Sequence, residues 1–388
     1  MKHIDNYLTW MVENDGSDLY LTVGRPATLK VSGQHLQSSD GKLTAQDLQE
    51  MVGQICNEAQ AAEFAVTQEM NLGYGIPEVG RFRVNILKQR GTIGMVIRYV
   101  KSRIPTLEEL HLPHQLAELA LEKRGLILLT GAAGTGKSTT LASMIDYRNT
   151  HVEGHIITVE DPIEFLYEHK RSIVTQREVG IDTDSFAAAL RNILRQAPDV
   201  ILVGEMRDTE TVTAAVNFAE TGHLVLATLH SSTADQALER LLSFFPLDAH
   251  HQIFQQLSLE LNAIVSLRLL PRHDGTGMIP AYEILLNTPR IQELIERGEI
   301  SEVKSAMAAS RPEGCITFDL CLYDLVKSGY ITEEEALHWA DSKNNLALKF
   351  KMEKIPTAAD DRRASPRGRD IRRGGAVDGT GLRLSREH

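Results

Sequence analysis

The run Leu126-Ile127-Leu128-Leu129-Thr130-Gly131-Ala132-Ala133-Gly134-Thr135-Gly136-Lys137-Ser138-Thr139-Thr140-Leu141 constrains this chain more than any other segment. An apolar stretch that reads as a buried strand leads into the pattern GxxxxGK[ST]. Helix-forming residues from Thr139 to Tyr147 follow. Strand, loop and helix in that order make a phosphate-binding loop rather than a chance glycine-rich turn. Gly131, Gly134 and Gly136 let the backbone curl so that successive N–H groups point at phosphate oxygens. Lys137 is placed to reach β- and γ-phosphates, and the Ser138 hydroxyl to ligate Mg²⁺. The following helix aims its positive end at the same anion.

At 388 residues the chain has room for two or three domains, and 42% apolar residues supply ample core. Its net charge of −11 argues against a general nucleic-acid binder, so no nucleic-acid partner is expected. No apolar run reaches the length of a membrane-spanning helix. The opening residues carry an early acid, Asp5, and no uninterrupted apolar stretch, so no secretory signal is expected. Cys56, Cys315 and Cys321 are scattered, as expected in a reducing cytoplasm, and form no CxxC pair for a tetracysteine zinc site.

The pattern along the chain predicts an α/β protein with a smaller α+β domain in front. In residues 1–100 it predicts helices over 3–12 and 44–52 and strands over 19–23, 27–31, 81–87 and 94–100. Residues 101–113, with two prolines, read as linker and hinge. Residues 114–288 alternate strands (125–130, 155–159, 200–204, 224–229, 281–286) with helices, which means a mostly parallel sheet covered on both faces. Residues 289–354 read as a helical subdomain, with Thr332 as an N-cap and Gly329 as a C-cap. The segment 355–388, rich in Arg, Gly, Asp and Ser, reads as disordered: a solvated tail, or a tether to acidic partners or lipid headgroups.

Several side chains are candidates for chemistry. Val200 to Val203, Gly204 and then Glu205 form an apolar strand ending in an acid, as needed to hold Mg²⁺ and its waters. The strand from His155 to Val159 runs into Glu160, Asp161 and Glu164. Three carboxylates so close repel one another in a core, so some must face solvent, a cation or an attacking water. Glu164 is the preferred water-orienting base. His223 and His230 stand at the two ends of one strand, with His230 at the carboxyl end where a γ-phosphate would lie. On the strand 81–86, Arg81, Arg83 and Asn85 share one face, and Arg98 closes the next strand. Such a face is either solvated or an anion clamp, since the guanidinium fork matches phosphate oxygens.

Four ordered blocks carry a family resemblance: 131–140, Glu160 to Glu164, Leu202 to Asp208, and Thr221 to His230. They resemble the Walker A, Asp box, Walker B and His box of secretion ATPases. With Gly16 to Leu21 and Arg81 to Asn85, they resemble in particular the retraction ATPases of type IV pili, the PilT/PilU family. The resemblance covers roughly residues 1–350. It implies an N-terminal PAS-like domain and a C-terminal RecA-like domain, assembled as a cytoplasmic homohexamer. It implies ATP and Mg²⁺ as cofactors, and a station at the inner-membrane pilus base, against the platform protein. By residue it implies nucleotide contacts from Gly131, Gly134, Thr135, Gly136, Lys137, Ser138, Thr139 and His223. Glu164 would be the catalytic glutamate, Glu205 the Walker B glutamate and, with Ser138, the Mg²⁺ site. Arg83, Arg98 and His230 would approach the γ-phosphate.

The departures point to the PilU branch. The tetracysteine module usual in extension ATPases is absent. Where PilT has arginines in a C-terminal helix, the stretch Arg290 to Arg297 offers Gln292 and Glu296. That exchange implies an accessory motor working beside a PilT-type paralogue. Two other readings stay open: a nucleotide-gated binding subunit that hydrolyses little, and a RecA-like DNA motor.

Overall fold

Two sheets organise the chain. The computed structural model describes residues 3–31, 33–100 and 103–353. The expectation of disorder over 355–388 therefore lies outside the described residues, as do positions 101 and 102 of the expected linker.

The first sheet is antiparallel throughout. In chain order its region contains α1 (Ile4–Glu13), β1 (Asp18–Thr22), β2 (Thr28–Val31), β3 (Gln34–Gln37), α2 (Ala45–Ile55), α3 (Glu58–Thr67), β4 (Glu69–Ile76), β5 (Gly80–Gln89) and β6 (Thr92–Val100). The strands lie in the order β3-β2-β1-β6-β5-β4. Helix α1 buries Ile4, Tyr7, Leu8 and Met11, the spacing of one helical face. Helix α2 buries Leu48, Met51, Val52 and Ile55, and starts at Thr44, which closes a capping box with Asp47. On β5 the expected alternation holds: Phe82, Val84 and Ile86 are buried, while Arg81, Arg83 and Asn85 sit half-buried on the other face. Strands β3 and β4 escape the sequence pattern for physical reasons. All four β3 residues are exposed at a sheet edge, so no apolar alternation marks them. Strand β4 forms the opposite edge and contains Gly73 and Gly75, which weaken a strand signal.

The second sheet carries the phosphate loop. Its region contains α4 (Gln115–Ala120), β7 (Gly125–Thr130), α5 (Lys137–His151), β8 (Gly154–Glu160), β9 (Ser172–Glu178), α6 (Phe186–Ile193), β10 (Val200–Val203), α7 (Thr209–Glu220), β11 (Leu224–Leu229), α8 (Ala234–Leu242), α9 (His250–Glu260), β12 (Leu261–Pro271) and β13 (Met278–Leu286). Five helices follow: α10 (Pro289–Arg297), α11 (Ile300–Ala309), α12 (Phe318–Lys327), α13 (Glu333–Trp339) and α14 (Lys343–Glu353). The strand order is β13-β12-β7-β11-β10-β8-β9. All neighbours are parallel except the edge pair β12–β13. Strand β12 was hidden because α9 runs into it without a turn, Leu261 ending one and starting the other.

Alternate residues of β7 serve opposite cores. Leu126 and Leu128 pack on one face with α7, α8, α10 and α11, and Ile127 and Leu129 on the other with α4 and α5. The first of these cores includes Ile291, Leu294, Ile295, Val303 and Met307, so α10 and α11 share the sheet's core across position 288. Helices α12 to α14 pack instead in a separate cluster against Leu270 and Ile279. Among the described residues, no helix is long and apolar enough to cross a membrane.

Candidate active site

Parallel strands place the turns that follow them at one edge of a sheet. Here that edge gathers the segments after β7, β8, β10 and β11 around a cavity of about 220 Å³. Gly134, Lys137, Ser138, Glu160, Asp161, Glu164, Glu205 and His230 line it. The loop after β7 turns through Gly131, Gly134 and Gly136 at positive φ of 147°, 78° and 92°. A Cβ on Gly131 would sit 2.7 Å from the Leu267 carbonyl oxygen, so that position excludes any side chain. Gly204 acts through proximity alone: a Cβ there would lie 3.0 Å from the Val159 carbonyl, and its absence lets the ends of β8 and β10 close together.

Lys137 is 9% exposed and donates from Nζ to the carbonyls of Gly131 at 2.8 Å and Ala132 at 2.9 Å. Burial pulls its ammonium below the ordinary value, while Glu205 and Glu164 pull it back up. The Ser138 hydroxyl donates to Glu164 Oε1 at 2.9 Å. Glu205 lies 3.0 Å from His230 Nε2 and 2.6 Å from the Arg207 guanidinium. Arg207 also reaches Asp161 at 3.3 Å, joining the acids after β8 and β10. Burial raises the Glu160 carboxyl to about 7, against hydrogen bonds from Thr158 and Gln176 and with Glu164 nearby.

Lys137, Ser138, Glu164, Glu205 and His230 are thus brought together. Thr135 bonds its own loop at the Ala132 carbonyl, and Thr139 lies in the first turn of α5. His223 stands elsewhere. It precedes β11, at the end opposite His230, and its ring nitrogen meets Thr221 Oγ1 and the Phe218 carbonyl at 3.2 Å each. Nor do Arg83 and Arg98 line the cavity. They are cross-strand partners on β5 and β6. Arg98 bonds Asp18 at 2.9 Å and lines an adjoining cleft with Tyr99, Arg103, Thr139 and Phe165. Arg83 and Arg81 face Glu178 of β9, and with the Ile163 N–H they offset the upward push of burial on its carboxyl. Sequence reasoning missed Arg207. Its position two residues beyond Glu205 was the available signal.

The donors suit a hard cation. A hydroxyl at Ser138 and carboxylates at Glu164 and Glu205 are oxygen ligands of the kind Mg²⁺ takes beside phosphates. Among the described residues no group of three or more His, Cys, Asp or Glu could hold a metal by itself.

A phosphate loop between parallel strand and helix, with acids at neighbouring strand ends, defines a RecA-like P-loop protein. Residues 2–324 match the family described as Type II/IV secretion system protein. The chain is 51% identical to the type IV pilus ATPase PilU of Pseudomonas aeruginosa, over 90% of this chain and 91% of that one. It is 38% identical to the retraction ATPase PilT of the same organism, over 88% and 99%. A crystal structure of the pilus retraction motor PilT with bound ADP superposes with a TM-score of 0.83 at 42% identity, covering 90% of this chain and 100% of that one. The chain belongs to the type II/IV secretion system protein family, in its PilT/PilU group.

Proposed function

We propose that this protein is an ATP-hydrolysing motor of type IV pilus retraction, serving twitching motility. It works as a homohexamer on the cytoplasmic side of the inner membrane at the pilus base, against the platform protein and beside a PilT-type paralogue. The observation that carries the proposal is the convergence of four strand ends on the phosphate loop, with Ser138, Glu164, Glu205 and His230 lining one cavity beside Lys137. Residues 1–100 and the chain from 114 onward act as two domains joined by 101–113.

In the reaction, the loop N–H groups and Lys137 cradle the phosphates. Gly131, Gly134, Thr135, Gly136 and Thr139 complete that contact. Ser138 and Glu205 would hold Mg²⁺, partly through water. Bound there, the ion would neutralise charge on the β- and γ-phosphate oxygens. Glu164 takes a proton from a water that attacks the γ-phosphorus, the bond to the bridging oxygen breaks, and ADP leaves. His230, beside Glu205, faces the γ-phosphate. Arg83 and Arg98 approach it when the first sheet closes on the second, while the cleft holding Arg98, Thr139 and Phe165 receives the rest of the nucleotide. His223, at the far end of β11, has no reach into the cavity of its own chain.

The output surface supports the accessory role. On α10, Arg290 and Arg297 both bond Glu293, at 2.8 and 2.7 Å, and Glu296 is exposed. Both arginines share the single Glu293 and stay exposed, so the helix carries mixed charge, with glutamate at 296 where the resemblance implies arginine. A surface that presents glutamate repels an acidic target that arginine would attract. Retraction in cells lacking this protein, its paralogue or both tests the proposal. Weakened retraction without this protein, and none when it is the sole retraction ATPase, is expected; full retraction in the absence of every PilT-type paralogue would contradict the dependence. Steady-state turnover by the pure protein separates a motor from a nucleotide-gated subunit that hydrolyses little.

A further inference from the structure

One rung of the second sheet breaks its apolar pattern. Thr130, Ser266 and Glu283 lie side by side on β7, β12 and β13, in register. All three are buried, at 0%, 0% and 1% exposure. Leu128, Ile264 and Leu285, their neighbours along the same face, belong to the apolar core. The Thr130 hydroxyl donates to Ser266 Oγ at 2.9 Å, and Thr130 is the last residue before the phosphate loop. At the other end of the rung, Glu283 Oε1 accepts the backbone N–H of Ala234 at 2.8 Å.

Ala234 opens α8, directly after the segment His230-Ser231-Ser232-Thr233. Thr233 holds the N-cap position with extended backbone, yet its side chain makes no capping hydrogen bond. Its Oγ1 is buried without a partner, as are Ser231 Oγ and Glu283 Oε2. A threonine at an N-cap ordinarily supplies the acceptor itself. Burying a carboxyl and leaving polar atoms unpaired costs stability. Helix stability alone does not account for reaching across the fold for a cap that the adjacent residue carries.

We propose that Glu283 is a positioning residue for the nucleotide reaction. From β13 it fixes the first turn of α8, and through it the segment that presents His230 to the cavity. Ser266 and Thr130 keep that segment in step with the phosphate loop. This rests on the ATPase function proposed above. The surroundings fit a lever rather than a plain cap. Glu283 faces Lys304 of α11 together with Asp341 and Asp235. Asp341 pairs with Lys304, and with Arg268 of β12 at 2.7 Å. Arg268 in turn lies over the Phe318 ring of α12 at 3.7 Å. The α8 turn is therefore joined to the C-terminal helices as well as to the site. Burial raises the Glu283 carboxyl to about 7, so glutamine is the closer isostere of the group at neutral pH and below.

Full-length Glu283→Gln and Glu283→Ala test the role, with ADP affinity and ATP turnover measured well below the melting points. Glu283→Gln keeps an acceptor for Ala234, and turnover within about twofold of wild type is expected. Glu283→Ala is expected to lower kcat about tenfold while KM and the ADP Kd move less than about threefold. Wild-type kcat in a folded Glu283→Ala, or equal damage from both variants, would overturn the role. Should Glu283→Ala fail to fold, hydrogen exchange of the wild type decides. Slower exchange at Ala234 and Asp235 with a non-hydrolysable ATP analogue than with ADP supports the role, and no difference overturns it. A wild type that neither binds ADP nor hydrolyses ATP would sink the functional proposal and this role together. An active wild type beside an equally active Glu283→Ala would sink this role alone.

Discussion

Lys137, Ser138, Glu164, Glu205 and His230 come from four segments of the second sheet and meet in one cavity, whereas Arg83 and Arg98 stand together on the first sheet and line none of it. Parallel pairing sets the positions of the first group. Each candidate follows the carboxyl end of a strand whose register is fixed by hydrogen bonds to its neighbour. The arginines are fixed just as firmly within their own sheet, and Asp18 holds Arg98. Their distance from the phosphates depends on how two sheets sit against each other. Proposed chemistry on the second sheet therefore needs only the local fold, while any contribution from the first sheet needs a domain arrangement and can be switched by it.

The contrast predicts a graded set of losses. Lys137→Ala removes the fixed cation of the loop, and hydrolysis should fall about a thousandfold or more with weakened nucleotide binding. Near-normal turnover would break the assignment of the cavity. Glu164→Gln should keep ATP bound but slow the chemical step by about 10²–10⁴, because an amide does not accept the water's proton. Single-turnover quench-flow reads that step directly, and loss of binding with unchanged chemistry would make Glu164 a structural group.

Arg83→Ala and Arg98→Ala sharpen the comparison. If the first sheet closes on the γ-phosphate, each should reduce turnover about 10- to 100-fold with ADP affinity nearly unchanged, since ADP lacks the group contacted. Parallel losses of ADP and ATP affinity, measured by calorimetry, would leave the arginines as lining of the cleft and supports of the first sheet.

The smallest expected effect on turnover belongs to Glu283→Gln, and its signature is pH dependence of stability. Burial raises the folded Glu283 carboxyl to about 7, against about 4.3 in an unfolded chain. Between those values the folded protein holds a proton that the unfolded chain has lost. The associated stability is fully present below the unfolded value and is lost as pH rises through the folded one. Glutamine does not titrate. The melting temperature of Glu283→Gln relative to wild type should therefore be higher at pH 8 than at pH 5, by a few degrees. A constant difference across that range would contradict the raised carboxyl.

What could be read in the sequence follows the same division. The phosphate loop, Glu205 and the acids after β8 were legible because strand ends in a parallel sheet converge by rule, and sequence order reveals which strand each acid ends. Strand β13 was legible as a strand, but its antiparallel direction was not, since β12 was hidden at the junction with α9. His223 and His230 read as the two ends of one strand, with His230 at the carboxyl end, and only His230 lines the cavity. Glu283 carried no local signal at all. Its partner Ala234 is 49 residues away, and only the register of β12 against β13 and β7 brings Ser266 and Thr130 beside it.

ATP hydrolysis by the pure full-length protein with Mg²⁺, compared with Lys137→Ala at matched folding, tests the central claim most directly. Steady turnover in the wild type, stimulated or not by a PilT-type partner, and none above background in the variant is the result predicted here. Equal rates in the two proteins, or no hydrolysis and no ADP binding by the wild type, would contradict it.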